Sequence, residues 1–424
     1  MLQLHFIRDN KEFVIERLGI KNFNATELVE EIIRLDNDRR STQKNLDDNL
    51  ATSNQLSKEI GNLFKEGKKD QAEEVRKAST ELKSLVKELE LSLNQIEKTL
   101  NEKLIELPNL PHESVKAGKS DTDNEIVYEE GTLPELAAEA LPHWELASKY
   151  DIIDFDLGSK VTGAGFPFYK GKGARLQRAL INFFLDEALK NDYIEYQPPL
   201  LINEDSGFGT GQLPDKEGQM YYVGEDNLYL IPTAEVPITN IYRNVILKED
   251  QLPVKNVAFS NCFRREAGSY GKDVRGLNRL HQFDKVEIVQ ISTPEKSYEI
   301  LEEMKAHVAD LLRKLELPFR ILRLCGGDVS FASALTYDFE VYSAAQKRWL
   351  EVSSVSNFEN FQANRMKLRY KSKEGKTTLA HTLNGSALAL PRIVAAMLEN
   401  NQTEKGIIIP ELLRSYTSYE IIDT

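Results

Sequence analysis

Apolar residues recur at steps of three and four over residues 25–107, then give way to shorter alternating runs. In the second half of that stretch Val75, Ala78, Leu82, Leu85, Leu89, Leu93, Ile96, Leu100, Leu104 and Leu107 form one stripe. The first half carries Leu46, Leu50, Leu56, Ile60 and Leu63, with a strongly polar middle at 36–45. Each half is apolar along one narrow strip, which needs a partner helix to cover it. The polar run at 65–70, containing Gly67, lets the halves fold back as an antiparallel helical hairpin. Arms of about 38 residues would reach roughly 57 Å at about 1.5 Å per residue, so the hairpin is expected to project as a rod. Pro108 and Pro111 end it, because proline lacks an amide proton and disfavours helix at the preceding residue. The polar segment 112–133 reads as a linker.

Beyond Trp144 the pattern is mixed. Residues 174–190 are apolar around most of their circumference, which predicts a buried helix, followed by a short strand broken at Pro198 and Pro199. Strand-like runs at 228–231, 257–263, 279–291, 336–342 and 349–353 lack βαβ spacing, and hairpin-length loops join several of them. That favours an α+β domain built on an antiparallel sheet. No glycine-rich loop of the P-loop or dinucleotide type lies between a strand and a helix. Residues 1–110 are expected to form the helical domain and 111–424 the second domain.

Composition narrows the possibilities. A chain of 424 residues exceeds the usual single-domain size, and 41% hydrophobic content supports a sizeable core. The net charge of −13 argues against indiscriminate nucleic-acid binding, DNA included, while leaving room for a local basic strip. Apolar runs fall far short of the roughly 18 residues of a membrane span, and the first residues lack the long apolar segment of a secretory signal. Two cysteines without metal-ligand spacing, Cys262 and Cys325, suit a reducing cytoplasm.

The run CFRREAGSYGKDVRGLNRLHQFDKVE at 262–287 is the most informative stretch. Read as two strands, it places Arg264 and Glu266 on one face of the first and Arg279, Phe283 and Glu287 on one face of the second. Two cations, a ring for stacking and a carboxylate would suit a nucleotide and an amino group. Farther on, Asn384, Gly385 and Ser386 read as the end of a strand opening a helix, with Ser386 as a cap. Pro391 is tolerable only in a first helical turn, which places Arg392 near that helix's start.

These residues together resemble the class II aminoacyl-tRNA synthetases, and within them the bacterial-type seryl-tRNA synthetases, over essentially the whole chain. Pro199 resembles the motif 1 proline, Phe263–Glu266 through Phe283 motif 2, and Gly385–Ser386 through Arg392 motif 3. GTGQLP (209–214), PTAEVP (232–237), EAGSYG (266–271) and HTLNGS (381–386) are similar to linking segments of that family. The resemblance implies an antiparallel-sheet class II catalytic domain with an N-terminal coiled-coil arm, acting as a homodimer. It implies that L-serine and ATP give seryl-adenylate, and that the seryl group passes to the 3′ end of tRNA(Ser); tRNA(Sec) stays open as a second acceptor.

By the same resemblance, Arg264 and Arg392 are the catalytic cations, Arg264 holding the α-phosphate. A planar guanidinium fork suits that task. Arg265, Glu266, Arg279, Phe283, Glu351, Val352, Ser353 and Ser354 complete the ATP site, Phe283 stacking on adenine and Glu351 with Ser354 holding Mg2+. Thr233, Ala234, Glu235, Arg264, Glu287, Asn384 and Ser386 line the serine pocket. On the arm, Arg39, Arg40, Lys44, Lys68, Lys69, Arg76 and Lys77 are the basic residues implied to meet tRNA.

Taken singly, these signals have plainer readings: an ion pair for Arg264 and Glu266, a core ring for Phe283, a surface carboxylate for Glu351, a dimerisation coil for the arm. His281 and His381 have no ligand spacing and read as structural. Two rival functions are a ligase that charges a carrier protein, whose members lack the long arm, and a coiled-coil scaffold that merely binds nucleotide. The second leaves the serine-pocket residues unexplained.

Overall fold

The structure is a computed structural model in which residues 1–266 and 275–423 are described. The chain divides into two compact units, residues 1–19 with 23–108 and residues 20–22 with 109–424.

The first unit is entirely helical among its described residues: α1 (Leu4–Asp9), α2 (Lys11–Ile20), α3 (Thr26–Lys65) and α4 (Lys69–Leu104). Gly67 turns the chain between the two long helices with φ 79°. The seam of α4 runs through Ala72, Val75, Ser79, Leu82, Val86, Leu89, Leu93, Ile96 and Leu100, while Ala78 and Leu85 face solvent. The expectation for those two residues is therefore corrected. Strict alternation of three- and four-residue steps averages 3.5, the period that keeps a two-helix seam aligned, and it selects Ser79 and Val86 instead. On α3 the polar middle enters the seam at Asp36, which is fully buried. It accepts hydrogen bonds from Arg8 Nη1 at 3.1 Å and from Arg39 Nε and Nη2 at 3.2 and 2.9 Å. A carboxylate deprived of water needs such charged donors.

The second unit is built on one eight-stranded sheet. In chain order its strands are β1 (Glu125–Glu130), β2 (Ile194–Tyr196), β3 (Val254–Phe263), β4 (Gln282–Ser292), β5 (Phe319–Arg323), β6 (Leu335–Ser343), β7 (Arg348–Asn357) and β8 (His381–Ala389). They lie side by side as β1-β5-β6-β7-β8-β4-β3-β2. All neighbours are antiparallel except β2 and β3. β1 falls inside the stretch expected to be a linker. Its paired register against β5, not hydrophobicity, makes it a strand, since Ile126, Val127 and Tyr128 remain exposed.

Three helices complete the core: α5 (Gly171–Leu189), α6 (Ser297–Lys314) and α7 (Leu390–Asn400). Leu180 and Phe184 of α5, Met304 and Leu312 of α6, and Ile393 and Met397 of α7 join Val286, Ile288, Phe339 and Val355 of the sheet in one cluster. Each such side chain contributes roughly 1.5–3 kcal/mol by leaving water. Because side chains alternate along a strand, burying Val286 and Ile288 on this face sends Phe283, Lys285 and Glu287 to the other.

Candidate active site

The face of the sheet opposite the core carries the polar residues. Glu287 on β4 stands across from Ser386 on β8, and Asn384, two residues earlier, stands across from Val289 and from Ser356 of β7. Strand β8 runs on to Ala389, and α7 has no side-chain cap. Ser386 is therefore a strand residue and not the helix cap expected. Pro391 does occupy the first turn of α7, with Arg392 beside it.

Glu351 and Ser354 are three residues apart, which in a regular strand would place them on opposite faces. A β-bulge resolves this. Phe339 pairs with Ser353 but Glu340 pairs with Glu351, so Val352 is the extra residue. Glu351 and Ser354 thereby share the site face with Asp338, the strand partner of Ser354. Val352 is buried in the main core and the Ser353 hydroxyl donates to Ser386 O at 2.6 Å. Both are thus committed to packing, and their side chains do not line the cleft.

One part of the cleft is buried. Glu287 is 2% exposed, and its Oε2 accepts from Thr233 Oγ1 at 3.1 Å and pairs with Lys285, itself 7% exposed. Glu235, at the start of the Glu235–Asn240 helix, has its amide on Thr233 Oγ1 at 3.2 Å and its Oε1 held by Gln362 Nε2 at 2.7 Å. Burial, reinforced by the charge of Glu287, pushes the Glu235 carboxyl up to about 7. Ala234 is fully buried behind them.

The other part is open. Arg264 and Glu266 lie beyond β3 and Arg279 lies before β4, so these three do not share strand faces as expected. They are placed by other means. The Arg264 amide donates to His281 O at 2.9 Å, its Nε reaches Pro232 O at 3.4 Å, and its guanidinium lies 5.3 Å from the Phe283 ring centre. Glu266 adopts φ 49° and pairs with Arg279, which is 44% exposed. Arg265 stacks on Tyr221 at 5.5 Å. Of the segment EAGSYG, only Glu266 is among the described residues.

Arg392 belongs to the open part as well. Its Nε donates to Asn278 O at 3.1 Å and its Nη1 to Glu351 O at 2.7 Å, with Glu351 Oε2 3.8 Å away. Burial first, and then the charge of Glu351, raise Asp338 well above the carboxylate range. Its Oδ1 has no hydrogen-bond partner.

His281 and His381, expected to be structural, are both engaged by protein groups. His381 meets Ser297 Oγ at 2.8 Å and is pushed down to about 4 by burial, while His281 packs on Phe166 and bonds Tyr221 OH at 3.0 Å. The sequence reading missed Lys285, Asp338 and Gln362. The alternation Phe283, Lys285, Glu287 could have flagged Lys285. Nothing local marks Gln362, which reaches Glu235 from a separate short helix, Phe361–Met366.

On the arm, Arg40, Lys44, Lys68, Lys69, Arg76 and Lys77 are exposed, with Lys68 paired to Glu66 and Arg76 to Glu73. Arg39 is the exception: its guanidinium is bound to Asp36.

An antiparallel sheet with helices behind it and converging arginines, carboxylates and a ring in front defines the catalytic core of a class II aminoacyl-tRNA synthetase. Residues 221–401 match the tRNA synthetase class II core domain (G, H, P, S and T), and residues 1–111 match the seryl-tRNA synthetase N-terminal domain. Serine--tRNA ligase of Salinibacter ruber is 49% identical over 99% of this chain and 98% of its own. That of Methylacidiphilum infernorum is 47% identical over the full length of both. Seryl-tRNA synthetase from Pyrococcus horikoshii, solved in complex with ATP, superimposes with a TM-score of 0.93 at 32% identity, covering 100% of this chain and 99% of that one. The cytoplasmic enzyme of Naegleria fowleri, solved with AMP, gives 0.88 at 27% identity. The chain belongs to the seryl-tRNA synthetase family.

Proposed function

We propose that the buried Thr233–Glu287–Lys285 cluster beside Arg264 and Phe283 is a serine pocket opening onto an ATP site. The chain activates L-serine with ATP and transfers the seryl group to tRNA. In the first step a serine carboxylate oxygen attacks the α-phosphorus and the bond to pyrophosphate breaks. In the second, a hydroxyl of the tRNA 3′-terminal ribose attacks the acyl carbon and AMP leaves. Such transfers demand positioning and charge neutralisation more than covalent participation by the protein.

Arg264 is suited to the α-phosphate because its backbone is fixed by His281 while its side chain reaches Pro232 O, next to Thr233 of the buried pocket. Phe283 already carries a guanidinium on its face, and such a face also suits a purine. Arg279, Arg392, Arg265 and Glu266 are assigned to the nucleotide's outer parts. Glu287 receives the serine ammonium or hydroxyl, with Thr233, Glu235, Asn384 and Ser386 completing the pocket. A buried site built to bond a hydroxyl rejects a substrate lacking it by about 10⁴-fold, because its own groups are left unpaired.

The donor set of Glu351, Ser354 and the unpartnered Asp338 Oδ1 is all oxygen, which fits Mg2+. Among the described residues no three His, Cys, Asp or Glu side chains converge as a metal site. Glu351 and Ser354 would hold the ion as one that arrives with ATP. When bound it neutralises phosphate charge.

Exposed Ile194, Leu200 and Leu201 flank Pro199 and support a homodimer through this segment. The exposed arm cations support recognition of tRNA(Ser). Two free, buried cysteines accord with a cytoplasmic protein, and among the described residues no helix is long and apolar enough to cross a membrane.

The deciding experiment is ATP–pyrophosphate exchange with each of the twenty amino acids. Serine alone should support rapid exchange, and preference for another amino acid would overturn the specificity. Removing residues 36–98 should leave exchange intact and abolish tRNA charging. Charging should also weaken steeply with salt. Equal charging by the armless protein would refute the role of the arm.

A further inference from the structure

Behind the open side of the cleft lies a polar network that the chemistry above does not use. His143 and Glu399 are both fully buried and share a hydrogen bond of 2.7 Å between Nδ1 and Oε1. The tautomer follows from the surroundings. The Leu277 backbone N–H donates to His143 Nε2 at 2.8 Å, so that nitrogen carries a lone pair. The proton is therefore on Nδ1, donated to Glu399.

Glu399 is saturated. Its Oε1 also accepts from His143 N and from Gln346 Nε2, each at 2.9 Å, and its Oε2 accepts from Ser343 Oγ. Burial alone would raise this carboxyl, but the hydrogen bonds from His143 and Ser343 outweigh it and hold the group below the usual carboxylate range. Gln346 carries the network onward, its Oε1 accepting from Asn278 Nδ2 at 2.9 Å.

The segment from Arg275 to Leu280 is thus fastened at several points. Arg275 stacks on Trp144 at 4.7 Å, Leu277 is tied by its amide, and Asn278 by its side chain. Leu277, Asn278 and Leu280 are buried, which leaves Arg279 projecting. Gly276, at φ 65°, packs so tightly that an added Cβ would lie 2.3 Å from His143 Nε2. Arg392 meets the same segment at Asn278 O, and it stands seven residues before Glu399 on α7. Two helical turns separate them, so both lie on one side of the helix.

We infer that His143, Glu399 and Gln346 are positioning residues, holding the 275–279 segment so that Arg279 and Arg392 meet the nucleotide together. This rests on the reading that those two arginines contact ATP. A shift of about 1 Å in a phosphate clamp can cost up to about 10²-fold, so the network should be visible in ATP kinetics while sparing serine binding.

The test is serine-dependent ATP–pyrophosphate exchange by the full-length enzyme. H143F, which keeps an aromatic side chain and removes both nitrogens, should raise the KM for ATP about 10-fold and leave the KM for serine within about twofold. H143Q, which restores an acceptor for Leu277 N–H, should recover part of the loss. Q346L cuts the link to Asn278 while leaving the buried His–Glu pair intact, and should raise the KM for ATP about threefold. It serves as the test if H143F does not fold.

A double-mutant cycle with R279A separates positioning from general stability. The ATP penalty of H143F, or of Q346L in its place, should largely vanish in the R279A background. Equal rises in both KM values, or a penalty that adds fully to that of R279A, would overturn the inference. An R279A enzyme with unchanged KM for ATP would instead sink the underlying reading of Arg279, and the inference with it.

Discussion

In the proposed serine pocket, Thr233, Glu235, Lys285 and Glu287 are buried and each already has a partner, whereas across the cleft Arg279 and Glu351 stand 44% and 51% exposed. The contrast follows from what each side must do. Telling serine from alanine or threonine requires a cavity of fixed size whose polar groups are costly to leave unmatched. Gathering a triphosphate requires cations that can be approached from water, since their charge steers the ligand before contact. The buried side rests on strand residues and a short helix. The open side rests on backbone carbonyls, an aromatic face and the buried network beneath residues 275–279.

Several measurements would break or sharpen this contrast. Arg264 stands where the two sides meet, so R264A should cause the largest loss, on the order of 10³-fold in kcat/KM for exchange, with circular dichroism unchanged. A loss confined to the KM of one substrate would place it wholly on one side. E287Q should lower kcat/KM for serine by about 10²-fold through loss of a desolvated charge, with the KM for ATP unaffected. Parallel loss for both substrates would erase the boundary drawn here.

E351Q should do less, roughly tenfold at limiting Mg2+ and less at saturation, because water screens an exposed carboxylate. No shift in the Mg2+ dependence would remove Glu351 from the ion's surroundings.

The last effect falls on stability and not on turnover. Burial raises Glu235 from 4.5 to about 7, so between those values the folded protein retains a proton that the unfolded chain releases. That contribution to stability is fully present below about pH 4.5 and is lost as pH rises through about 7. E235Q should therefore gain on the order of 2–3 kcal/mol relative to the parent between pH 5 and pH 8, read from paired denaturant midpoints at each pH. A constant difference across that range would show that Glu235 does not hold the proton.

The arm shows how far pattern alone carries. The hairpin, its turn at Gly67 and its length are legible because helix periodicity is local. Which residues form the seam is not. Ala78 and Leu85 continue the sequence stripe as well as Ser79 and Val86 do, and only the facing helix selects among them. The catalytic unit repeats the lesson at higher stakes. Glu351 and Ser354 could be paired from resemblance, yet the reason they share a face is a bulge at Val352 that the strand pattern does not reveal. Likewise β1 has no hydrophobic alternation to announce it and exists because β5 offers an edge to pair with.

By itself the sequence determined the two-part organisation and the mixed antiparallel class of the second part, and its resemblance to a family pointed to the arginines, ring and carboxylates proposed to carry chemistry. Those features depend on residue type and short-range spacing, which a linear reading can see. Only the tertiary structure decided that Lys285 neutralises Glu287, that Gln362 holds Glu235, and that His143 reaches Leu277 across 134 residues of chain. Buried polar groups take whatever partners packing brings within hydrogen-bond distance, and that proximity is a property of the fold.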